Sequence, residues 1–134
     1  PLFKMSFFIP LFGSGNKKFQ PVLIDDIERF ISKLILTSNC REKLFELAGP
    51  DIFTYKKFYS QIAKILFKKR VYVPIPMKIV KLVVKILEKT PFSPINSEQL
   101  ALFQTDNILN NKFPGFDYFN IVPKKTISAI KKSL

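Results

Sequence analysis

The stretch Phe19-Gln20-Pro21-Val22-Leu23-Ile24-Asp25-Asp26-Ile27 decides how the rest of the chain is read. Val22-Leu23-Ile24 is a short apolar run of the kind that fills a buried strand. Asp25-Asp26 then offers an N-cap and a first-turn carboxylate, where a helix start leaves N–H groups unpaired. Ile27, Phe30, Ile31, Leu34 and Ile35 follow at helical spacing and predict one buried face. Strand, acidic cap and helix in that order predict an α/β crossover unit over about residues 19–38.

Upstream, Phe7-Phe8-Ile9-Pro10-Leu11-Phe12 is apolar and runs into Gly13-Ser14-Gly15-Asn16, a flexible turn with no clear parallel strand before it. Downstream, the strand–helix pattern repeats. Leu44-Phe45-Glu46-Leu47 alternates like a strand, Ala48-Gly49-Pro50 breaks it, and Thr54 caps a helix whose inner face is Tyr55, Phe58, Tyr59, Ile62, Ile65 and Leu66. Val71-Tyr72-Val73-Pro74-Ile75-Pro76 reads as an edge strand closed by prolines. A helix over about Met77–Glu88 comes next. Asn96 and Gln99 stand at capping-box spacing, Thr105-Asp106-Asn107 ends that helix, Phe113-Pro114-Gly115 turns, and Thr126–Leu134 closes as a short helix.

Composition narrows the function. Of 134 residues, 47% are hydrophobic and 15 are Phe, which argues against disorder. The net charge is +12, yet Arg occurs only as Arg29, Arg41 and Arg70, and Arg is the side chain that clamps phosphates and reads guanine. Nucleic acid is therefore not expected as a partner. The Lys excess reads as solvated helix faces, with an anionic lipid surface as the alternative. A single Cys40 and the absence of His remove disulfide frameworks, the usual triads and zinc sites, so no metal is expected. No segment offers the ~20 apolar residues that cross a bilayer. Residue 1 is Pro, so the sequence is expected to be a fragment, a processed product or an incomplete reading frame.

Five short motifs, in order, resemble a known family. Gly13-Ser14-Gly15 with Gln20-Pro21-Val22 and Asp25-Asp26-Ile27 resembles "G-G-G…Q-P-V-x-V-x-D-V-A". Phe45-Glu46-Leu47-Ala48-Gly49-Pro50 with Thr54-Tyr55 resembles "E-L-G-G-P…T-Y". Val73-Pro74-Ile75-Pro76 is similar to "V-P-L-P", and Pro91-Phe92-Ser93-Pro94-Ile95 with Glu98-Gln99 and Asp106-Asn107 to "P-x-x-P-L-T-x-D-Q…D-N". Phe113-Pro114-Gly115 and Ile121-Val122-Pro123 resemble the closing "P-G…I-x-P". These mark the branch of extended short-chain dehydrogenases/reductases that holds the nucleotide-binding accessory subunits of respiratory complex I (alpha subcomplex subunit 9) and their bacterial relatives.

The resemblance implies an α/β chain: the C-terminal part of a Rossmann-like protein, with residues 19–38 completing the sheet and about 44–134 forming a small, mainly helical substrate subdomain. It implies NAD or NADP in the intact protein, held by an N-terminal Rossmann half, and none bound by this chain alone. The family's Gly-rich fingerprint and Tyr-x-x-x-Lys lie before this stretch. The chain has no G-x-G-x-x-G, and Tyr59 meets Ala63, not Lys64, at the required spacing. The chain alone is thus not expected to be an enzyme. For the whole protein, an accessory role with a structural dinucleotide competes with an oxidoreductase or nucleotide-sugar epimerase/dehydratase acting on a small or lipid-like substrate. The resemblance places the protein in the cytoplasm, peripherally on the inner membrane face, or on the matrix side of mitochondria.

Two groups of residues stand out as candidates. Gln20, Asp25 and Asp26 correspond to a strand that faces the substrate cleft in related epimerases; the competing reading is a strand end and a helix cap. Lys78, Lys81 and Lys85 form one strip on a helix that is apolar nearly all round. An ordinary surface helix has an apolar stripe only, so a membrane or large-partner surface competes with a helix clamped inside the domain.

Overall fold

The computed structural model describes residues 7–37, 40, 43–88 and 96–133. The Pro91–Ile95 motif and Arg41 lie outside the described residues. The chain is mixed α/β, and it divides into two compact units: Pro1–Phe19 with Phe53–Asn107, and Gln20–Ile52 with Ile108–Leu134.

In the first unit, β1 (Phe8–Phe12) pairs in parallel with β4 (Val71–Ile75), in a register that sets Phe8 opposite Val71 and Phe12 opposite Ile75. Alternation along β1 turns Ile9 and Leu11 inward, both almost without accessible surface. This corrects the expectation of no parallel strand before Gly13-Ser14-Gly15. Pro10 reads as a breaker, but it removes only one donor, and among the described residues β1 pairs along one edge only, so the other edge can absorb that loss. The Gly13 N–H continues the ladder to the Ile75 carbonyl at 2.8 Å. Gly13 and Gly15 both take positive φ, which glycine tolerates, and the chain turns into β2 (Lys18–Phe19) instead of a helix.

β2 pairs antiparallel with β3 (Phe53–Thr54), which leads directly into α2 (Tyr55–Ile65). Thr54 caps that helix as expected, accepting from the Lys57 N–H at 3.2 Å. β4 follows, then α3 (Met77–Leu87), then α4 (Ser97–Ala101). Asn96 and Gln99 form the expected capping box at α4. α4 ends at Ala101, short of the expected Thr105-Asp106-Asn107 stop, and Asp106 serves a tertiary contact instead. Its carboxylate accepts from the Lys18 N–H at 3.0 Å, and the Asn107 N–H donates to the Lys18 carbonyl at 2.8 Å, tying the end of this unit to β2. The core is Val80, Val84 and Leu100, with Phe12, Ile75, Met77 and Phe103 against it.

The second unit holds α1 (Ile24–Ile35), a 3₁₀ turn at Phe116–Phe119 and α5 (Thr126–Lys132). Its core is Phe30, Phe116 and Ile121. The Phe30 ring meets Phe45, Phe116 and Phe119 edge-on, with centroids 5.0–5.7 Å apart, the arrangement the ring quadrupoles favour. Two expected strands, Val22-Leu23-Ile24 and Leu44–Leu47, are not strands. A strand needs a ladder partner, and among the described residues neither has one: the Leu23 carbonyl is taken by the Asp26 and Ile27 N–H groups of the first helical turn, and the Glu46 N–H makes a single bond to the Pro114 carbonyl. The helix of the opening stretch is present. Of its predicted face, Phe30 is buried, but Ile31 and Ile35 are exposed, Ile35 by 77%.

Candidate functional site

Gln20 sits in the second unit with both ends of its amide committed. Its Nε2 donates to the Gly49 carbonyl at 2.8 Å, and its Oε1 accepts from the Leu109 N–H at 3.1 Å. One side chain thereby fastens two segments far apart in sequence. Gln20 also lines an open recess of about 860 Å³ shared with Glu46, Gly115 and Asn120. The Glu46 Oε2 is buried there without a hydrogen-bond partner among the described residues.

Asp25 and Asp26 do not cap α1. Leu23 is the N-cap and makes no side-chain bond. Asp26 instead has no accessible surface and spends its carboxylate on tertiary contacts. One oxygen accepts from Arg29 Nη2 at 2.7 Å, the other from the Lys124 N–H at 2.8 Å. The same Arg29 Nη2 also donates to the Val122 carbonyl at 3.1 Å. Asp25 is exposed and pairs with Lys124 Nζ at 3.1 Å. The first turn of α1 is thus bound to the Val122–Lys124 segment by charge-assisted bonds, about twice as strong as neutral ones. A capping signal and such a clamp use the same residue type in the same place, which is why the sequence alone did not separate them. Gln20 and Asp25 line different recesses of this unit, and Asp26 is sealed off from solvent.

A further polar cluster escaped the sequence reading. The Tyr118 hydroxyl accepts from Lys43 Nζ at 2.9 Å and lies 3.7 Å from the Cys40 Sγ. The hydrogen bond to Tyr118 raises the Lys43 pKa above its ordinary value.

In the first unit, α3 presents three faces. Successive residues step by about 100°. Val80 and Val84 point into the core, and Met77 packs beside them. Lys78, Lys81 and Lys85 form an exposed basic strip. Between these faces runs an exposed ridge of Ile79, Leu82, Val83 and Ile86. On the far side of the ridge from the lysines, β1, β4, α2, α3 and Phe103 line an apolar cavity of about 510 Å³. Tyr55 and Tyr59, expected only as core, stand in its wall, and burial raises both phenol pKa values. Tyr55 also stacks on Phe19, centroids 4.6 Å apart.

No described helix is long and apolar enough to cross a membrane, and the described residues hold no His/Cys/Asp/Glu group arranged for a metal ion. Fold and site together define a mixed α/β protein whose polar residues fasten its own segments and whose apolar helix face is left open. The comparisons are more particular. No family model matches the chain. It is 30% identical over 128 residues, 88% of its length, to the mitochondrial NADH dehydrogenase [ubiquinone] 1 alpha subcomplex subunit 9 of Arabidopsis thaliana. It is 28% identical over 109 residues, 81% of its length, to the mitochondrial NADH-ubiquinone oxidoreductase 40 kDa subunit of Neurospora crassa. These matches cover 32% and 29% of the two proteins, so the chain spans about a third of the length of the curated relatives it matches. The chain is homologous to the C-terminal part of the complex I subunit 9 and 40 kDa subunits, an extended short-chain-dehydrogenase-like family, as its motifs indicated.

Proposed function

We propose that this chain is the C-terminal portion of an accessory subunit of respiratory complex I. In this reading a Rossmann-like part outside the chain holds NAD or NADP in a structural role, and the chain supplies a subdomain that docks on the assembly at the membrane surface. The observation that carries it is the homology over 88% of the chain to a complex I subunit. Two features of the fold support it. Ile24, Ile31 and Ile35 form an exposed apolar stripe on α1, of the kind a helix presents to a sheet. Gln20 and Asp26 are occupied by internal bonds, which favours the structural role over oxidoreductase or epimerase chemistry.

The test is affinity purification of the full-length tagged protein from its own cells, followed by native electrophoresis and chromatography of the nucleotide released on denaturation. Comigration with NADH–ubiquinone oxidoreductase activity, with about one NAD(P) per protein, is the expected result. A protein that migrates alone and releases no nucleotide would defeat the reading.

The α3 ridge and its lysines are read as the membrane-facing element. Apolar side chains at the acyl boundary, flanked by Lys at headgroup level, suit an interfacial helix, and each Lys near an anionic surface contributes roughly 1 kcal/mol. Full-length protein should float with anionic liposomes at low salt and less at high salt. A Lys78/Lys81/Lys85→Glu variant should stay at the bottom of the gradient. Equal flotation of the two proteins would remove the basic strip from the reading.

A further inference from the structure

The cavity of the first unit is distinguished by what its walls lack. Among the described residues that line it, the only polar side-chain groups are the hydroxyls of Tyr55 and Tyr59, with no carboxylate, amide, ammonium or guanidinium. A nucleotide, sugar or small acid entering it would lose its hydration and find almost nothing to bond, a penalty of several kcal/mol for each group. Its volume of about 510 Å³ falls within the roughly 300–1,000 Å³ of small-molecule sites. A space lined in this way favours apolar guests, whose surface leaves water on entry.

The accessibility of the lining shows where the cavity opens. Ile9, Leu11, Val80 and Val84 are buried, whereas Ile79 and Val83 on α3, and Pro10 on β1, are exposed. Ile79 and Val83 belong both to the cavity wall and to the ridge on α3. The opening is therefore continuous with the apolar ridge, and the basic strip lies on the ridge's other flank. A guest reaching this opening comes from whatever the ridge faces, and the lysines select for an anionic surface. A surface that is apolar a few ångströms down and anionic on top is a lipid monolayer.

We propose that this cavity takes one acyl chain of a membrane lipid, entering between Ile79 and Val83 while the headgroup stays outside. The inference rests on the membrane-surface reading of α3, and its test is chosen so that the two fail separately. The probe is cis-parinaric acid, titrated in solution into full-length protein, with fluorescence rising as the polyene leaves water. Saturable, one-to-one binding is expected, displaced by palmitate more readily than by geranylgeraniol. Val83→Trp, which places a ring in the opening, should weaken binding about tenfold or more through overpacking. Leu82→Trp, which adds the same bulk to the ridge but lies outside the cavity wall, should bind like the parent. Brominated palmitate provides a second readout: it should quench tyrosine emission in the full-length protein, and that quenched part should vanish in a Tyr55→Phe/Tyr59→Phe variant, since both rings stand in the wall. Non-saturable binding, equal weakening by the two Trp variants, tighter displacement by geranylgeraniol or absence of quenching would each overturn the proposal. Flotation without parinarate binding would sink the cavity and spare the surface reading. Parinarate binding without flotation would overturn the membrane as the source of the chain.

Discussion

Asp26 is the residue on which most of the second unit's polar order converges. It has no accessible surface, and its two oxygens hold Arg29 and the backbone of Lys124. Deleting one partner of a buried ion pair costs about 3–5 kcal/mol. Here the Arg29 side chain is 48% exposed and can return to water, so the residual penalty is chiefly the stranded Lys124 N–H, worth about 1–3 kcal/mol. Asp26→Ala is therefore expected to lower stability by about 2–3 kcal/mol. Asp25→Ala, which breaks an exposed pair, should stay below about 1 kcal/mol. Urea unfolding monitored by circular dichroism checks both, and equal losses would contradict the clamp. Tyr59 gives a pH signature. Burial raises its pKa in the fold above the ordinary 10, so the neutral phenol is the form the fold favours. That contribution is fully present below pH 10 and is lost as pH climbs through 10 toward the raised folded value. Tyr55 shifts the same way and for the same main reason. Thermal melts should fall more steeply above pH 10 for the parent than for Tyr59→Phe; parallel curves would mean that Tyr59 ionises without protest.

At the scale of elements, close approach of backbones decides more than propensity. The Gly49 N–H donates to the Pro21 carbonyl, and a Cβ at Gly49 would stand 2.1 Å from that same oxygen. Since the obstacle is backbone, Gly49→Ala should cost about 1–3 kcal/mol or more, read as a lower urea midpoint at unchanged slope. The helices were legible from sequence because their signals are local. Thr54 caps α2, Asn96 and Gln99 box α4, and the apolar run after Pro76 is α3. The strands were not, because a strand is a property of two segments. Val22-Leu23-Ile24 and Leu44–Leu47 carry strand-like composition and find no ladder among the described residues, while Phe8–Phe12, interrupted by Pro10, finds Val71–Ile75. The sites divide the same way. The lysine strip could be read from one helix. The cavity could not, since Ile9, Tyr55, Val83 and Phe103 meet only after parallel pairing has joined β1 to β4.

These 134 residues taken together carry a charge of +12, with 22 basic against 10 acidic residues. Self-repulsion of that size opposes compaction and is screened over about 10 Å at 0.1 M salt. The chain's melting temperature should therefore rise between low salt and about 0.2 M sodium chloride, measured by differential scanning fluorimetry away from lipid. A falling melting temperature would mean that the exposed pair between Asp25 and Lys124, and others like it, outweigh the repulsion.

The interleaving of the two units also sets an order in time. The first unit has all its residues once Asn107 has been made; the second must wait for the Ile108–Leu134 stretch. Asp26 emerges early, yet the backbone N–H that completes its coordination belongs to a residue 98 positions later. At about 5–20 residues per second on the ribosome, that gap lasts about 5–20 s. During it α1 shows the nascent chain an unfinished carboxylate and an uncovered Phe30 together. The second unit is therefore expected to be the later of the two to close, and slow codons placed after Asn107 should lengthen the time it spends bound to chaperones, read by ribosome-associated pull-down.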